Sequence, residues 1–227
     1  MIILQHVHKA YGRHQVLSDV DATISPGMVT GIVGANGAGK TTLFRCMADL
    51  EPYEGDISYR GETLRPHLGY VPTQPFYLSR LTAREYLHLL LVAHRLPVPN
   101  LEQRNIFTLP LDNYASTFST GMQKKLAIWG VLLLQKPVYI LDEPFNGVDI
   151  ESNMLLTEVI LRLKAQGKTI VLSSHIFSTL RDICDVIYHL EEGTFRQKVE
   201  RDQFDALDQA MRKVHIGTRL DRFFEEE

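Results

Sequence analysis

Residues 34–41 read Gly-Ala-Asn-Gly-Ala-Gly-Lys-Thr and match G-x-x-x-x-G-K-[ST] at every position. Glycines at this density let the backbone fold tightly enough to aim several N–H groups at one centre. A helix opening at Lys40 adds its positive end, so Gly34, Asn36, Gly37, Ala38 and Gly39 form a cradle for phosphate. Lys40 is placed to reach the β- and γ-phosphates, the Thr41 hydroxyl suits Mg²⁺, and Thr42 can touch the α-phosphate. The chemistry is that of a bound nucleoside triphosphate, ATP before others.

A second constellation supplies carboxylates. Val138-Tyr139-Ile140-Leu141 is an apolar run that ends in Asp142-Glu143-Pro144. A buried parallel strand presents its C-terminal end at the ligand crevice, which would bring both acids to the phosphate loop. Asp142 would then hold Mg²⁺, and Glu143 would polarise an attacking water as general base. Alone, such a pair is more often a solvated turn. Downstream of a phosphate loop in one domain, the functional reading prevails.

The elements that must position these groups are legible from periodicity and punctuation. Buried strands are expected over residues 29–33, 138–141, 169–173 and 186–190. Helices are expected over 40–49, from after Gly121 to about 135, and over 150–165 and 176–183, with Gly167 ending the third. Alternation of strand and helix means a mainly parallel sheet covered on both faces. Residues 55–61 and 68–71, with the alternating first twenty positions, suggest a small antiparallel β layer beside it. A helix over 82–96 opens with a capping box, Thr82 and Glu85, and Pro97, Pro99 and Pro110 break up the stretch after it. Residues of about 76–125 therefore read as an inserted helical lobe within a single domain over 1–200. Glu192 and Gly193 turn the chain into an edge strand over 194–200. The polar tail over 201–227 reads as surface, with a helix near 204–214.

Composition narrows the classes of partner. The net charge of −3 over 227 residues offers no basic field for nucleic acid or anionic lipid. Cys46 and Cys184 carry no metal or disulfide spacing and read as two buried thiols in a reducing compartment. The first residues lack the charged start and long apolar run of a secretory leader. Residues 126–134, the longest apolar run of note, are too few to cross a bilayer, so any spanning would fall to another chain.

In order and spacing, the motifs resemble those of the ATP-binding cassette (ABC) ATPases: Tyr11, the loop from Gly34 to Thr42, Gln74, Ser119-Thr120-Gly121-Met122-Gln123, Asp142-Glu143, Asn146-Gly147-Val148-Asp149 and His175. The resemblance implies an α/β fold, a P-loop NTPase core with a mainly parallel sheet, an N-terminal antiparallel β subdomain and an inserted helical subdomain. It implies that Tyr11 stacks on adenine, with Val16 in apolar contact beside it. Gln74 would reach Mg²⁺ and the attacking water, and His175 would contact the γ-phosphate and help orient Glu143. Ser119 and Gly121, at a helix start, would bind the γ-phosphate held by a second ATPase subunit. Asp149 would sit at the seam of that dimer. The resemblance further implies a separate transmembrane permease as partner and a peripheral place on the cytoplasmic face of a membrane. No nucleic acid is expected.

The sequence departs from the family's commoner pattern in places. Phe118-Ser119-Thr120-Gly121-Met122 stands where Leu-Ser-Gly-Gly-Gln is usual, and Lys125 where an arginine is usual. Asn146-Gly147-Val148-Asp149 stands where Ser-Ala-Leu-Asp is usual. None of these removes a catalytic group; they bear on dimer affinity and turnover. A serine-x-glycine-methionine signature resembles the stand-alone ATPase subunits of ABC-2-type exporters, by analogy of motif. The alternative is a soluble ABC ATPase acting on nucleic acid, ribosomes or cofactor assembly, which salt-sensitive nucleic-acid binding would reveal.

Overall fold

A computed structural model describes residues 1–174 and 177–212. The chain opens with a long antiparallel hairpin, β1 (Ile2–Tyr11) and β2 (His14–Ile24). It then enters the interior as β3 (Val29–Val33), which leads through the glycine loop into α1 (Lys40–Met47). Next come β4 (Glu54–Tyr59), the short β5 (Glu62–Thr63) and β6 (Leu68–Val71). Two helices come after them, α2 (Ala83–Ala93) and α3 (Thr120–Leu133), separated by turns and one short 3₁₀ segment, Ala115–Thr117. The second half alternates β7 (Val138–Leu141), α4 (Ile150–Ala165), β8 (Thr169–Ser173), α5 (Phe177–Ile183) and β9 (Val186–Glu191). β10 (Thr194–Glu200) and α6 (Phe204–Arg212) complete the described chain.

The strands make two sheets. The antiparallel layer has the order β2-β1-β4-β5, and the main sheet β10-β9-β3-β8-β7-β6. Within the main sheet every pairing is parallel except β9 with β10, a hairpin at the edge. Side chains alternate across it. Ile32, Val138, Ile140 and Val171 face a cluster shared with α1 and the antiparallel layer. Val29, Val33, Tyr139, Leu141, Ile170 and Leu172 face a second cluster that includes residues of α3, α4 and α5. Burial on both faces explains why these strands read as unbroken apolar runs.

Some expectations needed correcting. β6 is not part of the antiparallel layer; it is the outer strand of the main sheet, parallel to β7 from Leu68↔Val138 to Val71↔Leu141. Four residues, Leu-Gly-Tyr-Val, are too short a run for periodicity to assign a sheet. α2 stops at Ala93 rather than 96, because Arg95 turns left-handed (φ 55°) and Leu96 N–H returns to the Leu91 carbonyl ahead of Pro97. α1 ends two residues early, since Asp49 also has positive φ (56°). The start of the tail is not surface: Phe204 and Leu207 are buried against the main cluster, with Phe177 edge-on to Phe204. Spacing of three places these two side chains on one helical face. The expected extension of α6 to 214 lies outside the described residues. Both cysteines are buried and free, as expected, and burial pushes the Cys46 thiol up to about 11.

Candidate active site

Four neighbouring parallel strands deliver their C-terminal ends to one place. β3 runs into the phosphate loop, and β8, β7 and β6 end in Ser173, Asp142 and the Pro72–Thr73 segment. Their ends enclose a cleft of about 500 Å³ lined by Asn36, Gly37, Gly39, Lys40, Thr41, Thr42, Thr73, Asp142, Glu143 and Asn146.

The loop is held tightly from behind. A Cβ on Gly34 would lie 2.2 Å from the Leu190 carbonyl oxygen, so only glycine lets the chain pass there. Gly39 caps α1 at φ 105°, and a Cβ on it would meet the Val16 carbonyl at 3.0 Å. Val16 therefore stands behind the loop, and Ala38 lines a neighbouring hollow with His189, Glu191 and Glu192. The Lys40 ammonium is buried and donates to the Gly34 carbonyl at 2.7 Å and the Ala35 carbonyl at 3.1 Å. Burial pulls its pKa below the ordinary lysine value, an effect that Glu143 and Asp142 oppose.

Asp142 is fully buried, and both carboxylate oxygens are spoken for. The Ser173 hydroxyl donates to Oδ1 at 2.7 Å, and the Thr73 hydroxyl donates to Oδ2. Its backbone N–H donates to the Val71 carbonyl at 2.9 Å, which ties it to β6 as well. Glu143 is next in the chain at φ 49°, a left-handed conformation uncommon for a non-glycine residue, with its N–H donating to Ser173 Oγ at 3.0 Å. The arrangement can hold a polyphosphate at the loop, a hard cation beside Thr41 and Asp142, and a carboxylate over the terminal phosphate.

Several expected residues lie away from the cleft. Tyr11 is half-exposed at the β1–β2 turn, with the Lys9 ammonium 4.6 Å from its ring centre. Gln74 is exposed and lines a neighbouring hollow that shares Thr41 and Thr73 with the cleft. Ser119 caps α3, accepting the Met122 N–H at 3.3 Å. Gly121 abuts the Asn146–Asp149 turn so closely that a Cβ would lie 2.4 Å from the Gly147 carbonyl oxygen. Asp149 caps α4 through the Ser152 N–H and accepts from Lys125 Nζ at 3.0 Å; these bonds hold its carboxyl well below the usual carboxylate range. His175 lies outside the described residues.

Sequence reasoning passed over Thr73, Ser173 and Lys124, and named Asn146 only within the Asn146–Asp149 motif, without a role in the cleft. Lys124 had a signal: it shares a helical face with Ala127, Ile128 and Val131, all buried, so its charge had to find partners inside. Thr73 and Ser173 carried none beyond their place at the ends of buried strands.

A family model described as "ABC transporter" matches residues 17–146. The ABC-type transporter ATP-binding protein EcsA of Bacillus subtilis is 31% identical over 225 residues, covering 91% of each chain. The lantibiotic transport ATP-binding protein SrtF of Streptococcus pyogenes is 31% identical over 221 residues, covering 92% of this chain and 95% of its own length. A solved structure described as the ATP binding subunit of an ABC transporter superposes with a TM-score of 0.83 at 31% identity, covering 93% of both chains.

Proposed function

The chain belongs to the ABC transporter family as an ATP-binding subunit, and from that premise we propose that it hydrolyses ATP with Mg²⁺ between two such subunits to drive a separate membrane permease in export. The observation that carries hydrolysis is the pairing of buried Asp142 with Glu143 in one cleft with the phosphate loop.

On this reading the loop N–H groups and Lys40 hold the phosphates, and Thr42 touches the α-phosphate. The residues present fit Mg²⁺: the Asp142 carboxylate and the Thr41 hydroxyl are hard oxygen donors on the cleft wall, with no sulfur or imidazole among its described lining. Bound there, the ion would neutralise charge developing on the β- and γ-phosphates. Glu143 accepts the proton of the attacking water, His175 helps to orient both, and Gln74, beside Thr41 and Thr73, would reach the ion and the water. Tyr11 and Val16 flank the adenine.

Ser119 and Gly121 lie away from the cleft of their own chain, which suits contact with a nucleotide held by a partner subunit. Asp149 would lie at the seam between the two. We read residues 1–200 as the ATPase unit, with about 76–125 as its inserted lobe and 201–227 as its tail. Of Phe76, Tyr77 and Leu78 in that lobe, expected to meet a permease helix, Phe76 and Leu78 are exposed and suit it, whereas Tyr77 is buried and donates to the Gln123 carbonyl; the relatives named for transport support the same partner. Among the described residues no helix is long and apolar enough to cross a membrane, which leaves the spanning to the permease. The subunit would then sit peripherally on the cytoplasmic face.

The test is Glu143→Gln. Turnover should fall at least ~100-fold while ATP now holds two chains together in size-exclusion chromatography. Hydrolysis at the wild-type rate would remove Glu143 from its role, and a monomer under all nucleotide conditions would remove the dimer.

A further inference from the structure

We infer that Thr73, held in place by Lys124, is a positioning residue for Asp142 on the metal side of the site. The inference rests on the ATPase reading above for its chemistry, and on three independent pieces of geometry for its content.

The first is the hydroxyl of Thr73. It donates to Asp142 Oδ2 and lies 3.5 Å from the Thr41 hydroxyl oxygen, so it bridges the two groups placed to hold the cation. A hydroxyl has one proton and two lone pairs. Its proton goes to the carboxylate, which leaves the lone pairs for a water of the ion's shell or for the Thr41 hydroxyl. With Ser173 on the other oxygen, the Asp142 carboxylate is fixed by one hydroxyl on each side.

The second is Lys124. Its side chain is 1% exposed, and its ammonium donates to the Pro72 carbonyl at 3.0 Å, the Asp142 carbonyl at 3.2 Å and the Thr73 carbonyl. An ammonium has three donors, and here all three go to carbonyls. Two belong to the segment after β6 and one to the end of β7. The lysine therefore staples these neighbouring strand ends together at the level where Thr73 meets Asp142. Burial lowers its pKa to about 8, against the opposing pull of the Asp142 and Glu143 charges.

The third is the place of Thr73 on the cleft wall. Thr73 lines the cleft, whereas Gln74 is exposed and lines only the neighbouring hollow. α3, which carries Lys124, also begins at the Ser119 cap, so a single helix connects the Ser119–Gly121 segment to the carboxylate.

The test uses Thr73→Val, which keeps shape and deletes the hydroxyl, and Thr73→Ser, which restores it. Mn²⁺ is the probe: its affinity is read by electron paramagnetic resonance in the ATP complex of the full chain carrying Glu143→Gln. Thr73→Val should weaken Mn²⁺ by about 10-fold, the range found for residues that orient a metal's ligands. ATP affinity in EDTA should change by less than about 2-fold, because the phosphate loop keeps its metal-independent contacts. Thr73→Ser should recover the metal affinity. In the otherwise wild-type chain Thr73→Val should lower kcat more than it raises KM. Lys124→Met should repeat the loss, and the double variant with Thr73→Val should lose little more than either alone. If Lys124→Met fails to fold, the Thr73 pair decides alone. Unchanged Mn²⁺ affinity in Thr73→Val would overturn the inference. A wild-type chain that bound ATP without hydrolysing it would sink the ATPase reading, while the Mn²⁺ measurement would still decide Thr73.

Discussion

His6 and Asp19 face each other across the bulged part of the β1–β2 hairpin, both with positive φ (49° and 56°). The imidazole Nδ1 lies 2.8 Å from Asp19 Oδ1, and Asp21 is close by at 3.7 Å. The hydrogen bond to Asp19, and then the charges of Asp21 and Asp19, raise the His6 pKa above the ordinary histidine value. A histidine raised in the folded state stabilises fully below its unfolded pKa of about 6.5, and that contribution disappears as pH rises through the folded value. Asp19→Asn should therefore lower the His6 titration midpoint, tracked by NMR, and reduce the melting temperature more at about pH 5 than at about pH 8.5. An equal loss at both would remove the charge from the account. Among the residues that line the cleft, Lys40, Thr41, Asp142 and Glu143 were legible in the sequence because their motifs state a mechanism as well as a spacing. Thr73 was not, because a threonine between Pro72 and Gln74 announces nothing until its hydroxyl is seen on Asp142.

At the scale of elements, the capping box of α2 joins Thr82 and Glu85 reciprocally: Glu85 N–H donates to Thr82 Oγ1 at 3.2 Å and Thr82 N–H donates to Glu85 Oε2 at 2.9 Å. Thr82→Ala should cost about 1 kcal/mol in urea unfolding, with an unchanged dependence on denaturant. α3 begins under tighter constraint. Gly121→Ala would push its first turn off the Gly147 carbonyl, since the new Cβ lies 2.4 Å from that oxygen and backbone must give way. The variant should lose ATP-driven association of two chains more than it loses melting temperature, and the opposite balance would make Gly121 a folding residue alone. α4 was read to the residue, because Asp149 opens it and Gly167 lies just past its end. β6 was expected in the wrong sheet because its partner β7 lies far downstream, beyond both α2 and α3. Pairing at that separation is decided by burial on both faces, which a four-residue run does not encode.

Over the whole molecule, the two hydrophobic clusters share the strands of the main sheet. Ile140 points into the cluster under the antiparallel layer, and Leu172 into the cluster under the helices. Both are fully buried, so Ile140→Ala and Leu172→Ala should each cost about 2–5 kcal/mol. Because the sheet is common to both, either variant should shift one cooperative unfolding transition, seen alike by far-ultraviolet circular dichroism and by Trp129 fluorescence. Two separated transitions would show that the layers unfold independently.

The pairings Val71↔Leu141 and Leu141↔Leu172 run level across three strands, and Gly31↔Leu172 continues them into β3, which leads to the phosphate loop. The cleft is thus measured out from strand ends, each advancing by about 3.3 Å per residue. One residue inserted near the end of β7 would carry Asp142 past Thr73 and Ser173 and turn its side chain to the other face. The same insertion ahead of β7, in the turn after α3, would leave the count intact. Length is therefore free at one end of these strands and fixed at the other, and insertions scanned along the chain should show that asymmetry as a sharp boundary in nucleotide binding.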